Sequence, residues 1–100
     1  MNEHAGFEVQ CSQRGFAWEC RVWVGTPEDG AECVVTVSRG ELALLAPGAW
    51  EPTQLVEESF RFLLEREPPS SILRRFAISD IARYFPDYPD QMAIRLGSSE

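Results

Sequence analysis

Cysteine is the residue type that offers this chain the widest choice of chemistry. Cys11, Cys20 and Cys33 are its three cysteines, and His4 is its single histidine. Three thiolates and one imidazole can form a structural zinc site. Such sites usually take cysteines in close pairs separated by two to four residues, whereas eight and twelve residues separate these cysteines. The spacing therefore predicts neither a metal nor a cofactor.

The cysteines alternate with polar residues, which places them on one face of a predicted antiparallel sheet. A first turn at Arg14-Gly15 sets Cys11 opposite Trp18. Cys20 is then a diagonal neighbour of the other two cysteines at about 7 to 8 Å, which is poor disulfide geometry. We expect buried, reduced thiols and hence a cytoplasmic protein, with a disulfide or redox pair as the less favoured alternative.

Side chains for catalysis are scarce. The chain has nine arginines and no lysine, so it has no Schiff-base amine, and its one histidine, His4, lies in a predicted tail. A serine or cysteine nucleophile would lack an activating base. Helical spacing puts the carboxylates of Glu57, Glu58, Glu65 and Glu67 mostly on a solvated side with arginine partners, where acid/base chemistry is not favoured. The sequence predicts a protein that is not an enzyme.

The charge of the chain limits its partners. Sixteen acids give a net charge of −7, which opposes binding to nucleic-acid phosphates or anionic lipid. Residues 1–71 hold twelve of the acids and five arginines, while residues 72–100 hold four of each. We expect no signal peptide and no membrane partner, because no apolar run approaches the roughly 20 residues that span a bilayer.

Period-two alternation over residues 7–38 predicts a three-stranded antiparallel meander with one apolar face. The second hairpin pairs Val24 with Ala31 and Val22 with Cys33, across a predicted loop at Thr26–Gly30. The meander is followed by helical patterns, so we predict an α+β fold in which one main helix and several short C-terminal helices cover one sheet face.

The helix signals begin at Ser38, where the Ser-x-x-Glu spacing of a capping box predicts a short helix that ends before Pro47-Gly48. A broad apolar stripe predicts the main helix from Pro52 to Arg66. Shorter helices are predicted through Ile72–Phe76, Ile81–Phe85 and Pro89–Leu96. One domain is expected over residues 6–96, with loose tails at 1–5 and 97–100.

One stretch of the chain resembles a known set of proteins. The run from Ser59 to Pro68 (SFRFLLEREP), followed by Ser71-Ile72-Leu73, Phe76 and Arg83-Tyr84-Phe85-Pro86, is similar to short bacterial proteins that have no assigned activity. The resemblance covers roughly residues 34–88 and does not include the N-terminal hairpin. It implies a bacterial origin and a compact α+β domain, and it transfers no functional residue.

The polar face of the predicted sheet carries the better candidate site. Trp23 and Val34 are diagonal neighbours there, beside Arg21 and Glu32. An aromatic side chain rimmed by charge is typical of a binding patch, and a three-stranded sheet leaves two edges unpaired. We predict a protein-interaction or regulatory domain that forms a homodimer, in which Trp23→Ala weakens association more than stability. The alternative is that another helix covers this face.

Two further clusters lie near the C-terminus. We interpret Tyr84, Phe85, Tyr88 and Met92 as core packing with the phenols turned outward. Residues 71–96 also have the cadence of a helix-turn-helix, which makes antitoxin-like nucleic-acid binding the alternative function. The candidate reading helix offers base edges little beyond Gln91 and Arg95, and nearby aspartates nearly cancel the arginines.

Overall fold

A four-stranded sheet forms one layer of the protein. The computed structural model describes residues 7–25 and 30–97. In it β1 (Phe7–Arg14), β2 (Ala17–Gly25) and β3 (Gly30–Ser38) form the predicted antiparallel meander, and the sheet order is β1-β2-β3-β4. The expectation of only three strands is wrong, because β4 (Arg75–Ala77) pairs parallel with β3.

The fourth strand replaces the helix predicted through Ile72–Phe76. A short 3₁₀ turn at Pro69–Ser71 precedes it, and the Val34 N–H donates to the Arg74 carbonyl at 2.7 Å. Phe76 is buried opposite Val35. The apolar spacing of this segment suits a helix or a strand, and the open side of β3 supplies backbone partners for the strand.

The first hairpin turns at Gly15-Phe16, one residue later than predicted. Gly15 has φ +64° as the first of two turn residues, which is where a type II′ turn prefers glycine. Arg14 therefore pairs with Ala17, and Cys11 lies opposite Cys20 instead of Trp18. The second hairpin has the predicted register, with Val22 opposite Cys33.

Four α-helices follow the meander, and all of their bounds lie close to predicted ones. They are α1 (Arg39–Leu45), α2 (Thr53–Arg66), α3 (Ile81–Tyr84) and α4 (Tyr88–Gly97). The capping box is confirmed: the Glu41 N–H donates to Ser38 Oγ at 3.1 Å, and the Ser38 N–H donates to Glu41 Oε1 at 2.8 Å. Gly97, predicted as tail, ends α4. The predictions for His4, for residues 26–29 and for the remaining tail residues lie outside the described residues.

The core lies between one face of the sheet and the helices. Alternate residues of β2 and β3 point into it, and α2 supplies the opposing layer with Leu55, Val56, Phe60 and Phe62, all of them buried. Met92 of α4 joins this cluster. The helical layer packs on the inner face of the sheet. The outer face therefore carries the predicted partner-binding residues of β2 and β3.

Candidate protein-interaction surface

The outer face of the sheet brings the four predicted site residues together. Trp23 lies directly opposite Glu32, and Arg21 lies directly opposite Val34, so two neighbouring cross-strand pairs form a square on β2 and β3. We call these four residues the Trp23 patch. Trp23, Arg21 and Glu32 are exposed and Val34 is half-buried. The alternative that a helix covers this face does not hold for the described residues.

Trp23 stands between two carboxylates. Glu32 is its partner on β3, and Glu8 is its partner on β1. The indole is 37% exposed, and both flanking glutamates are exposed. An indole face attracts cations through its quadrupole, and two nearby carboxylates strengthen that attraction. The geometry around Trp23 therefore suits a cationic side chain.

The other end of the outer face is occupied by ion pairs. Glu19 of β2 lies 3.4 Å from the guanidinium of Arg14 on the neighbouring strand β1 and 3.6 Å from that of Arg75 on β4, across β3. Both arginines are largely exposed, so these pairs contribute little to stability. The carboxylate of Glu19 is therefore already paired, whereas the carboxylates of Glu8 and Glu32 lie beside Trp23.

The cysteines differ from the prediction. Cys11 and Cys20 form a disulfide, with Cα atoms 3.9 Å apart, because the shifted hairpin register sets them directly opposite each other. Cys33 is a buried free thiol, and its burial raises its pKa. The premise of three reduced thiols, which supported the cytoplasmic location, is therefore wrong.

Metal binding has no support among the described residues. Within residues 7–25 and 30–97, no group of three or more His, Cys, Asp and Glu side chains is placed to hold an ion. His4 lies outside these residues, so the absence of a metal stays a prediction.

The carboxylates of α2 lie beside arginines. Arg95 of α4 donates to Glu65 at 2.8 Å, and Arg61 donates to Glu58 at 2.6 Å. The hydrogen bond from Arg95 holds the pKa of Glu65 below its ordinary value. A carboxylate that binds its proton less tightly is a poor general acid, so these contacts favour a structural role.

The C-terminal aromatic cluster is largely core. Tyr88 and Met92 are fully buried, which agrees with the interpretation as core packing. The Tyr88 hydroxyl lies 2.6 Å from Ser59 Oγ inside the core, so the expectation that its phenol turns outward is wrong. Tyr84 is 65% exposed and does turn outward.

A groove of about 400 Å³ near α1 was not predicted. Its lining includes Trp18, whose ring lies 5.4 Å from the Arg39 guanidinium carbon, and the indole of Trp50, which is 86% exposed. The available signal was a tryptophan outside any periodic pattern, between Gly48 and Pro52 in a loop.

A second groove, of about 200 Å³, opens between α2, β4 and α3. Its walls are mainly apolar, and the carboxylates of Glu67 and Asp80 belong to its lining. Asp80 accepts a hydrogen bond from the Ala77 N–H at 3.1 Å, so its side chain already holds the turn before α3. The Asp80 carboxylate thus has a structural partner in this groove.

Arg95, the main basic residue of the hypothetical reading helix, is held by acids of α2. It contacts Glu65 at 2.8 Å and Glu58 at 3.9 Å. The predicted opening helix of the helix-turn-helix, Ile78–Phe85, is a 3₁₀ turn at Ile78–Asp80 followed by the four-residue helix α3. No observation in the described residues favours nucleic-acid binding over protein binding.

In comparisons with known proteins, no family model, no curated protein and no solved structure matches the chain. The resemblance to short bacterial proteins therefore stays a prediction. Among the helices of the described residues, none has the length and apolar character needed to cross a membrane.

Proposed function

We propose that this protein is a non-enzymatic interaction domain that binds a basic segment of a partner protein through the Trp23 patch. The observation that carries the proposal is an exposed indole between two exposed carboxylates, those of Glu8 and Glu32, on a sheet face that no described helix covers.

The composition of the patch supports a side-chain contact with a partner. Tryptophan and arginine are the residue types most often responsible for binding energy in interfaces. Val34 supplies an apolar floor beside Trp23, and Arg21 offers a planar donor to a backbone carbonyl or carboxylate of the partner. A Lys or Arg side chain of the partner would stack on Trp23 and pair with Glu32.

The negative net charge of the whole chain also supports a basic partner. A net charge of −7 attracts a basic segment and speeds the encounter. Because much of this attraction acts between exposed charges, we expect the association rate to fall as salt concentration rises.

The test compares two exposed tryptophans. An array of short peptides, matched in length and apolar content but carrying either Lys and Arg or Asp and Glu, is probed with the wild type, Trp23→Ala and Trp50→Ala. We expect binding to the basic peptides, a loss of about tenfold or more for Trp23→Ala, and little change for Trp50→Ala. Glu32→Lys should weaken binding to basic peptides and favour acidic ones.

Thermal unfolding of the same variants separates binding from folding. Trp23 is partly exposed on the outer face, so its truncation should cost less stability than a core substitution. A large loss of stability with no change in binding would contradict the proposal, as would equal losses of binding for both tryptophan variants.

The cytoplasmic location and the bacterial origin remain part of the proposal. The disulfide opposes the cytoplasmic location, because a disulfide persists best in an oxidising compartment. The redox state of Cys11 and Cys20 in the native cell, measured by trapping thiols with an alkylating reagent, therefore tests the location directly.

A further inference from the structure

The two edges of the sheet differ in how well they are protected. β4, at one edge, has three residues, and a short edge strand offers little template for pairing. β1, at the other edge, has eight residues, and no described strand pairs with its open side. β1 contains neither proline nor lysine, which are common protections of an edge.

The hydrogen-bonding direction of β1 follows from one contact on β3. The Val34 N–H donates to β4, so even-numbered residues of β3 face β4 and odd-numbered residues face β2. The backbone N–H and C=O groups alternate in direction along each strand. In the observed registers, the even-numbered residues of β2 therefore bond to β3 and the even-numbered residues of β1 bond to β2. The backbone groups of the odd-numbered residues of β1 point away from β2. The backbone groups of Phe7, Val9, Cys11 and Gln13 therefore point to the open edge.

The side chains of β1 make this edge self-complementary. A second antiparallel copy must pair odd-numbered residues with odd-numbered ones, since only these present hydrogen-bonding groups on both strands. When the two-fold axis passes through Cys11, Glu8 of each copy lies opposite Arg14 of the other, which gives two ion pairs. Other two-fold registers set Glu8 opposite Gln10 or Ser12 and lose both pairs.

We propose that two copies of this chain associate through their β1 strands, in the register centred on Cys11, to form a continuous eight-stranded sheet. The pairing covers Phe7, Val9 and Cys11, which are only half-buried in the single chain. It uses the edge of the sheet and leaves the Trp23 patch on the outer face, so it goes beyond the proposed function, and the two proposals share one residue, Glu8, which lies beside Trp23. The assembled sheet presents two such patches on one side.

Charge reversal tests the register. Glu8→Arg and Arg14→Glu each replace two attractive pairs by two repulsive ones, so each variant alone should raise the dimer dissociation constant about tenfold or more. A mixture of the two variants restores both pairs and should form a heterodimer of two chains of 11.3 kDa each. Analytical ultracentrifugation of each variant and of the mixture measures this, and circular dichroism checks that each variant is folded.

A cross-link locates the two-fold axis. In Cys20→Ser/Cys33→Ala, Cys11 is the only thiol and should face Cys11 of the second copy, so a short bismaleimide should join the two chains. The matched control is Cys11→Ser/Cys33→Ala, which retains only Cys20, a fully buried residue of the inner strand β2. This control should not cross-link.

The outcomes decide the proposal separately from the proposed function. A wild type that sediments as a single chain up to its solubility limit overturns the dimer, and so does a dimer that withstands both charge reversals. Loss of basic-peptide binding in Trp23→Ala with an intact dimer supports both proposals. A dimer that fails to bind any basic peptide overturns the proposed function alone.

Discussion

Among the described residues, Ser59 is the one buried aliphatic side chain with a hydroxyl group, and it links α2 to Tyr88 of α4. Its hydroxyl donates to the Leu55 carbonyl at 2.7 Å, and it lies 2.6 Å from the Tyr88 hydroxyl. Because Ser59 has a single hydroxyl hydrogen and the carbonyl can only accept, Tyr88 is the donor in the second bond. The buried phenol therefore has a partner that fixes α4 against α2.

Tyr88→Phe is expected to destabilise the protein by about 1 kcal/mol at neutral pH, since it removes one buried hydrogen bond. It should also change the response to alkali. Burial raises the pKa of Tyr88 in the folded protein, whereas the unfolded phenol ionises near its ordinary pKa of about 10. The stabilising contribution is thus fully present below about pH 10 and is lost as the pH rises further.

Urea unfolding of the wild type and of Tyr88→Phe across this range measures both effects. Tyr84→Phe is the matched control, because Tyr84 is mostly exposed and carries no described hydrogen bond to the core. An identical loss of stability in alkali for the wild type and Tyr88→Phe would mean that another group is responsible.

At the scale of elements, the first hairpin depends on its disulfide. β1 contacts β2 along its whole length and packs on α2 only in part, so Phe7, Val9 and Cys11 are half-buried. The Cys11–Cys20 disulfide ties this edge strand to β2, whose inner face belongs to the core. The disulfide thus holds β1, whose side chains are only half-buried, against the well-packed strand β2.

Reduction of the disulfide is expected to lower the free energy of unfolding by about 2 to 3 kcal/mol, because the unfolded chain regains the conformational entropy that the closed loop had removed. Denaturant unfolding with and without a dithiol reductant measures the change. Cys33→Ala should respond like the wild type, while Cys11→Ala/Cys20→Ala should be insensitive to the reductant. The same free energy of unfolding in both conditions for the wild type would contradict the role of the disulfide.

At the scale of the whole molecule, the negative net charge opposes binding to nucleic acid. The chain has sixteen acids and nine arginines, and ion pairs within residues 7–25 and 30–97 involve five of these arginines: Arg14, Arg61, Arg66, Arg75 and Arg95. A nucleic-acid surface needs a basic patch whose charges neutralise phosphates. The paired arginines instead offset carboxylates of their own chain.

We therefore expect that the protein does not shift labelled duplex DNA in a gel-shift experiment at low salt. The negative potential of the chain repels phosphates most strongly under this condition, because screening is weakest. Binding that falls steeply with salt would contradict this expectation and favour the C-terminal helices as a nucleic-acid surface.

Local patterns were sufficient for much of the fold. Period-two alternation predicted the meander, the Ser38 capping box and the apolar stripe predicted α1 and α2, and the alternation also placed Trp23 on the outer face. These features depend on residues close in sequence. The predicted position of the first turn was wrong by one residue. Gly15 suits a turn at Arg14-Gly15 as well as one at Gly15-Phe16, and the choice depends on how the whole β1–β2 ladder packs.

The sequence by itself determined the class of fold, the apolar and polar faces of the sheet, and an acidic surface with little material for catalysis. Only the tertiary structure decided that Cys11 meets Cys20, that Arg75–Ala77 joins the sheet as a strand, and that β1 is the last of the described strands at its edge of the sheet. The place of β4 depends on pairing between segments distant in sequence, and the contact of Cys11 with Cys20 depends on the register of the whole first hairpin. A backbone that can adopt two conformations takes the one whose hydrogen bonds and buried side chains find partners elsewhere in the chain.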